Sequence, residues 1–439
     1  MRGKSAAYYF EVPLTAGFTP EDGWGGDGPS DYLIHSRNPL SVLGSSLTLQ
    51  EHSLPSNDGL DNDLLLDLSD SVRAGLGDRR ILGPRWEEAM GFLTAVLKDE
   101  TSGSSMIDFG TIQNARLDKL LSDIINPGNR PSPLPTRFRD DVIMVEKLQR
   151  QWRARFKELY FTVDQDRYLI LSRTGRLRDV EMSSSSQMDQ RLWTTRTFET
   201  LSEFEGNQFD VGHWWLNLAC AYRDGIVGSV LETPTKGKYG VAALPLITGR
   251  EDVHLSDGTV TYTREGKISD MHLSLLSQVG STIRILRGYK LQSPLAPKAG
   301  IRYDGLQVEA EMGWFEEIYI IRQYGTKLNV NTELHRLVVT LERVDDQLPV
   351  EDIIRIPRPS QLDDWQLFEK YEGETVRQKR GQQAWVEWKT SKAHEKMERE
   401  QYMRTLAFHT SLELAKLGQP VPSIGPLDWK GPGRYSRMM

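Results

Sequence analysis

The stretch that most constrains this chain runs from Ile283 to Leu306. It reads Ile283-Arg284-Ile285-Leu286-Arg287-Gly288-Tyr289-Lys290 and, after a short gap, Leu295-Ala296-Pro297-Lys298-Ala299-Gly300-Ile301-Arg302-Tyr303-Asp304-Gly305-Leu306. A β-branched run closed by glycine reads as a strand, and the Pro/Gly segment after it as a loop. Asp304-Gly305 carries turn chemistry, and Leu306-Gln307-Val308 resumes apolar alternation. The stretch therefore predicts strand, loop, turn and strand, with Asp304 as a structural cap of the bend rather than a catalytic acid. Arg284, Arg287, Lys290, Lys298 and Arg302 are all drawn towards that turn.

Other strand-like segments surround it. Val211–Trp215 opens a β-rich unit, Gly225–Gly228 reads as a loop, Lys236–Gly240 leads into the apolar strand Val241–Ile247, and Leu337–Leu341 closes the unit. Pro357-Arg358-Pro359 marks a boundary. Upstream, Pro84 and the acids after it start a helix running to about Lys98. Further helical periods cover Thr111–Ile125 and Phe138–Tyr160, the latter with a basic face (Lys147, Arg150, Arg153, Arg155) that reads first as solvated. Residues 360–417 also read as helix, most regularly over Thr390–Leu417. Five regions result: 1–84 mostly disordered, acidic and Gly/Pro-rich; 85–200 helical; 201–350 β-rich; 351–417 a charged helical extension; and 418–439 a disordered basic tail. The acidic, leucine-containing run Asp61–Asp70 falls in the first of these and is expected to be unstructured.

Charge and cysteine content narrow the function classes. The net charge of −7 opposes nucleic-acid binding as a whole-chain property, but seven cations stand against Glu265 and Asp270 between Arg264 and Arg302. The single cysteine, Cys220, leaves no intrachain disulfide framework and no cysteine-based zinc site, which suits a reducing compartment. No apolar run approaches a membrane span, so a soluble intracellular protein is expected. The histidines form no triad or zinc pattern, and His213 beside Trp214-Trp215 reads as a core histidine. Asp364 with Glu387-Trp388-Lys389 can be traced as a nuclease-like set only if two adjacent strands carry it, whereas the region reads as helical. No enzyme and no cofactor are expected.

The strand Ile283–Gly288 followed by Ala296-Pro297, Gly300 and Arg302–Leu306 resembles the core of the SRA domain, also called YDG after the tripeptide present here as Tyr303-Asp304-Gly305. This chain is similar to a fungal-type member with a divergent base pocket. The resemblance covers about a third of the chain, roughly residues 200–350, and implies an α+β protein. Its centre would be a twisted SRA-like β-barrel flanked by N- and C-terminal helical extensions. It also implies a base pocket built from Thr248, Gly249, Arg250, Asp252, Tyr262 and Thr263. There Tyr262 would stack on an extruded cytosine, Asp252 would accept from its exocyclic amine, and backbone around Thr248 and Gly249 would hold the base edge. Arg264, Arg284, Arg287, Lys290, Lys298 and Arg302 would meet the DNA backbone. Arg250 stands where the family has a first stacking tyrosine, Val253 where some members carry the pocket aspartate, and Arg264 where a glycine follows. The loop at Ile226 and Val227 would act as an apolar wedge, while the family's inserting finger is not evident in Lys267–Leu275, where Asp270 and His272 stand.

These features together imply a nuclear protein that binds double-stranded DNA, with methylated cytosine as the candidate ligand in chromatin regulation. The alternative is a degenerate SRA barrel that serves as a protein-interaction scaffold, with the charged C-terminal helix as its working surface.

Overall fold

In the computed structural model the chain divides into two compact units, Met1–His52 and Ser53–Met439. The structure describes residues 61–79, 82–131, 135–183, 192–201, 209–238, 240–254, 259–266, 282–310, 313–317, 319–329, 334–342 and 350–416, all in the second unit. The expected disorder of residues 1–60 and 418–439, and the segment Lys267–Leu275, lie outside the described residues.

Asp61 accepts the Asp63 N–H and starts α1 (Asn62–Ala74). The run expected to be unstructured is thus a helix. Its leucines supply the reason, since Leu65, Leu68 and Val72 recur at i, i+3 and i+7 and all three are buried. They pack with α2 (Trp86–Ser102), α3 (Phe109–Asn114), α4 (Leu117–Ile125) and α5 (Phe138–Phe156) around Leu93, Leu121, Leu148 and Trp152. The single helices expected over 111–125 and 138–160 are each broken at a residue of positive φ. Arg116 (φ 55°) separates α3 from α4, and Lys157 (φ 46°) separates α5 from α6 (Glu158–Arg173). Beyond α6 the expected helical character ends in two short antiparallel strands, β1 (Val180–Met182) and β2 (Trp193–Thr195).

The β-rich unit then begins with β3 (Trp214–Trp215), α7 (Leu218–Arg223), β4 (Thr235–Gly237) and β5 (Gly240–Leu246). It continues through β6 (Arg250–His254), β7 (Thr259–Gly266), β8 (Thr282–Gly288) and β9 (Ile301–Tyr303). A two-stranded ribbon of β10 (Leu306–Ala310) and β11 (Gly313–Glu317) follows, then the long pair β12 (Tyr319–Asn329) and β13 (Leu334–Glu342). The main sheet runs β3-β9-β8-β12-β13-β7-β6, with β5 joining β8 in parallel and β4 on β5.

The described strands do not close into the barrel that the resemblance implies. β8 is the hub, pairing with β5, β9 and β12. A strand has two edges, so two of these partners divide one edge between its halves, and the sheet branches there instead of rolling round. At the far end β6 reaches only a loop: the Glu251 N–H donates to the Gln292 carbonyl at 3.0 Å, and the Gln292 N–H donates to the Gly249 carbonyl at 3.0 Å.

After α8 (Val350–Ile353) comes α9 (Pro359–Lys416), which Gly381 interrupts at φ 89° and ψ 178°. Its two arms, 359–380 and 382–416, fold back on one another. Arg377 lies 5.9 Å from the Trp385 ring, and Lys392 pairs with Glu372 at 3.3 Å. Gly373 faces the Trp388 ring so closely that a Cβ there would come within 2.7 Å of it. The expected long helix is therefore a hairpin. Its first arm is tied to α1: Arg73 donates to both oxygens of Asp363 at 2.9 Å, and Asp70 accepts the Ser360 N–H and hydroxyl. Trp365 and Phe368 of the same arm join Trp214, Trp215, Ala243 and Leu286 in one core. A second core holds Leu244, Leu246, Tyr262, Ile283, Ile285, Val339 and Leu341.

Candidate nucleic-acid interface

Strand β8 carries aliphatic residues into both cores, so everything on it is enclosed. Arg284 is 0% exposed, and Arg287 and, on β9, Arg302 are each 1% exposed. These three were expected on DNA phosphates, and burial removes them from that role. Arg287 Nε donates to both oxygens of Glu251 at 3.0 and 2.9 Å, and its Nη1 donates to Asp304 Oδ2 at 2.8 Å. Arg302 Nη2 donates to the same Asp304 oxygen at 2.9 Å and to the Leu295 carbonyl at 2.6 Å, while its Nη1 reaches the Ile356 carbonyl at 3.0 Å. The Ser293 hydroxyl completes Glu251. Asp304 is the shared acceptor of two guanidiniums rather than the cap of a turn. Burial alone would raise its pKa, but Arg302 and Arg287 outweigh that and hold the carboxyl below its ordinary value of 3.8. Two carboxylates pair with two guanidiniums here, which is the condition for burying charge at all.

The proposed base pocket fails on register. Directly paired residues of an antiparallel ladder share a face, and β6 pairs with β7 as Glu251↔Tyr262 and Asp252↔Thr261. Tyr262 therefore lies with Glu251 on the buried face, and Asp252 lies on the opposite one. The Tyr262 ring is 2% exposed within the second core, and its hydroxyl donates to the Thr248 carbonyl at 2.9 Å. Burial raises its pKa well above the ordinary tyrosine value. Asp252 instead accepts from Arg250, Nε at 2.9 Å and Nη2 at 2.8 Å. An aromatic ring and a carboxylate on opposite faces of a sheet cannot hold one cytosine between them. The apolar wedge is also absent, since Ile226 and Val227 are buried at 0% and 1%.

The remaining site residues do converge. Thr248, Gly249, Arg250, Asp252, Thr263 and Arg264 form one wall of a cleft of about 1070 Å³, with Lys290 and Lys298 at its edge. The opposite wall is the second arm of the α9 hairpin, from Trp388 to Tyr402. Arg250 is an open cation, with 61% of its side chain exposed. The hairpin is fastened across the cleft by polar posts. Lys290 pairs with Glu395 at 2.7 Å, and Arg399 donates to the carbonyls of Tyr289, Lys298 and Pro297 at 2.8, 2.9 and 2.8 Å.

No protein-family model matches the chain, and no curated protein matches it. Among solved structures the fold is similar to the SRA domain of SUVH5 in a complex with hemimethylated CG DNA, at 17% identity and a TM-score of 0.24, over 34% of this chain and 97% of that one. It is also similar to Arabidopsis thaliana SUVH6 in complex with SAM, at 13% identity and a TM-score of 0.27, over 66% of this chain and 41% of that one. A third is KRYPTONITE in complex with mCHG DNA and SAH, at 17% identity and a TM-score of 0.24, over 34% and 36%. Overlaps of this size carry no functional conclusion, and the site has to be read from its own residues.

Sequence reasoning missed the hairpin's share of the cleft, which supplies Trp365, Trp388, Lys392 and Tyr402. A signal was present at Gly381, which lies within a helical period and twenty residues or more from either end of it. Burial opposes the charge on Lys392, but Glu372, Tyr289 and Glu369 together hold its ammonium above the ordinary lysine value. The cation is thus kept where a desolvated lysine would otherwise shed its proton.

Proposed function

We propose that the chain is a DNA-binding module of the SRA/YDG type that meets duplex DNA along the rim of this cleft and does not discriminate methylated cytosine. The observation that carries this reading is the convergence of the exposed part of the motif. Arg250, Arg264, Lys290 and Lys298 surround one opening, while the buried part, from Arg284 to Asp304, builds the frame beneath it. Phosphates would replace Asp252 as the partner of Arg250 and Glu395 as the partner of Lys290, an exchange of one charge-assisted contact for another. Binding of this kind releases counterions and weakens steeply with salt. Methylation has nothing to act on, because the ring meant to stack on the base is sealed into the core.

A second reading is favoured by the posts across the cleft. With Arg399 and Glu395 of the hairpin engaged by the loop at 289–298, the rim is partly occupied, which suits a protein-interaction scaffold of the same architecture. Titrating unmodified, hemimethylated and fully methylated duplexes at two salt concentrations separates the readings. Salt-sensitive binding of equal strength to all three duplexes is expected. A methylation preference would restore base capture, and no binding at low salt would leave the scaffold.

A further inference from the structure

The ammonium of Lys392 occupies an aromatic cage. Its Nζ lies 5.7 Å from the centre of the Tyr289 ring, 5.6 Å from Trp365 and 6.0 Å from Trp388. Glu372 and Glu369 stand at 3.3 and 3.7 Å, and the Tyr289 hydroxyl at 3.3 Å. Two indole rings, a phenol hydroxyl and two carboxylates around one cation make an arrangement suited to alkylammonium groups, because the indole quadrupoles and the fixed charges both favour a poorly hydrated cation. The parts come from separate places. Tyr289 follows β8, Trp365 lies on the first hairpin arm, and Trp388 lies on the second beside Lys392 itself.

Fastening the hairpin needs less than this. Arg399 and Glu395 already tie the same arm to the loop at 289–298 through four partners. The cage also borders open space on two sides: Tyr289, Trp365, Trp388 and Lys392 line both the cleft and a second hollow of about 540 Å³. The cleft that leads to it carries both signs, with Asp252, Glu265, Glu395 and Glu398 set among Arg250, Arg264, Lys290 and Lys298.

We propose that Tyr289, Trp365 and Trp388 form a binding site for a methylated lysine side chain of a partner protein, and that Lys392 is the plug that fills the site from within the chain. The plug shows what chemistry the cage accepts. Its tether gives it a high effective concentration, so an unmodified lysine from outside cannot displace it. A methylated ammonium gives up less hydration on entering and gains more from the rings. This inference stands apart from the DNA reading, since none of the cage residues is assigned to phosphate contact.

The test uses the full chain, with indole fluorescence as the readout and a short basic peptide carrying one trimethyllysine as the probe. Lys392→Ala should bind that peptide at least about tenfold more tightly than its unmethylated counterpart, and at least about tenfold more tightly than the unsubstituted chain does. Adding Trp388→Ala should remove the methyl-dependent part. A folded Lys392→Ala chain that binds both peptides equally, or neither, overturns the proposal. Choline binding as tightly as the trimethylated peptide overturns the assignment to a protein side chain. Should Lys392→Ala not fold, Lys392→Gln serves in its place with the same ranking expected. The unplugged Lys392→Ala chain gives an independent reading: an emission change with tetramethylammonium that sodium chloride at equal ionic strength does not produce supports the cage, and its absence overturns it.

Discussion

Two groups of cations from neighbouring parts of this chain do opposite work. Arg284, Arg287 and Arg302 lie inside the sheet, and the latter two share Asp304. Arg250, Lys290 and Lys298 stand at the mouth of a cleft on its outside. In sequence the two groups interleave. The difference comes from the elements that carry them: β8 has protein on both faces and β9 is enclosed, whereas Arg250 lies on β6, the last strand of the sheet's path, and Lys290 and Lys298 lie in the loop between β8 and β9. Charge in a sequence marks a potential partner, and only the surroundings decide whether that partner is a phosphate or a carboxylate of the same chain.

The comparison breaks most visibly at Asp304. Asp304→Ala leaves two buried guanidiniums without their shared acceptor and should cost about 3–5 kcal/mol in urea denaturation, enough to threaten folding. The same residue fixes a pH dependence. Its folded-state pKa lies below the ordinary 3.8, so its stabilisation is complete above that value and is lost as pH falls through the folded pKa. In acid titrations followed by circular dichroism, Asp304→Asn should show a shallower loss of stability below pH 3.8 than the unsubstituted chain.

A middle-sized effect is expected at Tyr262. Tyr262→Phe removes the hydrogen bond to the Thr248 carbonyl and should cost about 1 kcal/mol of thermal stability. It should leave DNA affinity, and the ratio between methylated and unmethylated duplexes, unchanged. A changed ratio would mean that the ring meets the base after all.

The smallest effect on stability belongs to the rim. Arg250→Ala and Lys298→Ala should each shift stability by no more than about 0.5 kcal/mol. Each should nevertheless lower DNA affinity uniformly across sequences and reduce the slope of log K against log salt by about one. If the rim substitutions leave that slope alone, the outside cations are no more phosphate ligands than the inside ones.

Part of this was legible beforehand. The strand Ile283–Gly288 and the strand resuming at Leu306 stand as β8 and β10, because β-branched runs and apolar alternation are local signals, whereas β9 (Ile301–Tyr303) falls where a loop and turn were expected. The enclosure of Arg284 and Arg287 was half visible: apolar residues at 283, 285 and 286 fall on both faces of β8, the pattern of a strand buried on both sides. The alternation Thr259-Val260-Thr261-Tyr262-Thr263 likewise sets Tyr262 with Val260 on the apolar side and the threonines on the other. The twelve-residue spacing from Arg250 to Tyr262, which the family resemblance makes a base pocket, gives way to that period. The helix at Asn62–Ala74 had its local signal in Leu65, Leu68 and Val72, but its docking did not, since Asp70 and Arg73 find Ser360 and Asp363 at a separation of 290 residues. Long-range partners leave no local trace. The same holds for the branching of the sheet at β8, which depends on three pairings made from distant parts of the chain.

The reversal at Gly381 gives the second hairpin arm the mechanics of a lever. Residues 382–416 make a rod of roughly 50 Å at the rise of an α-helix, and Lys392 and Arg399 grip it in the half nearest the bend. A small rotation at those grips would sweep the far end of the rod through a larger arc, so displacement there is coupled to the ion pairs near the pivot.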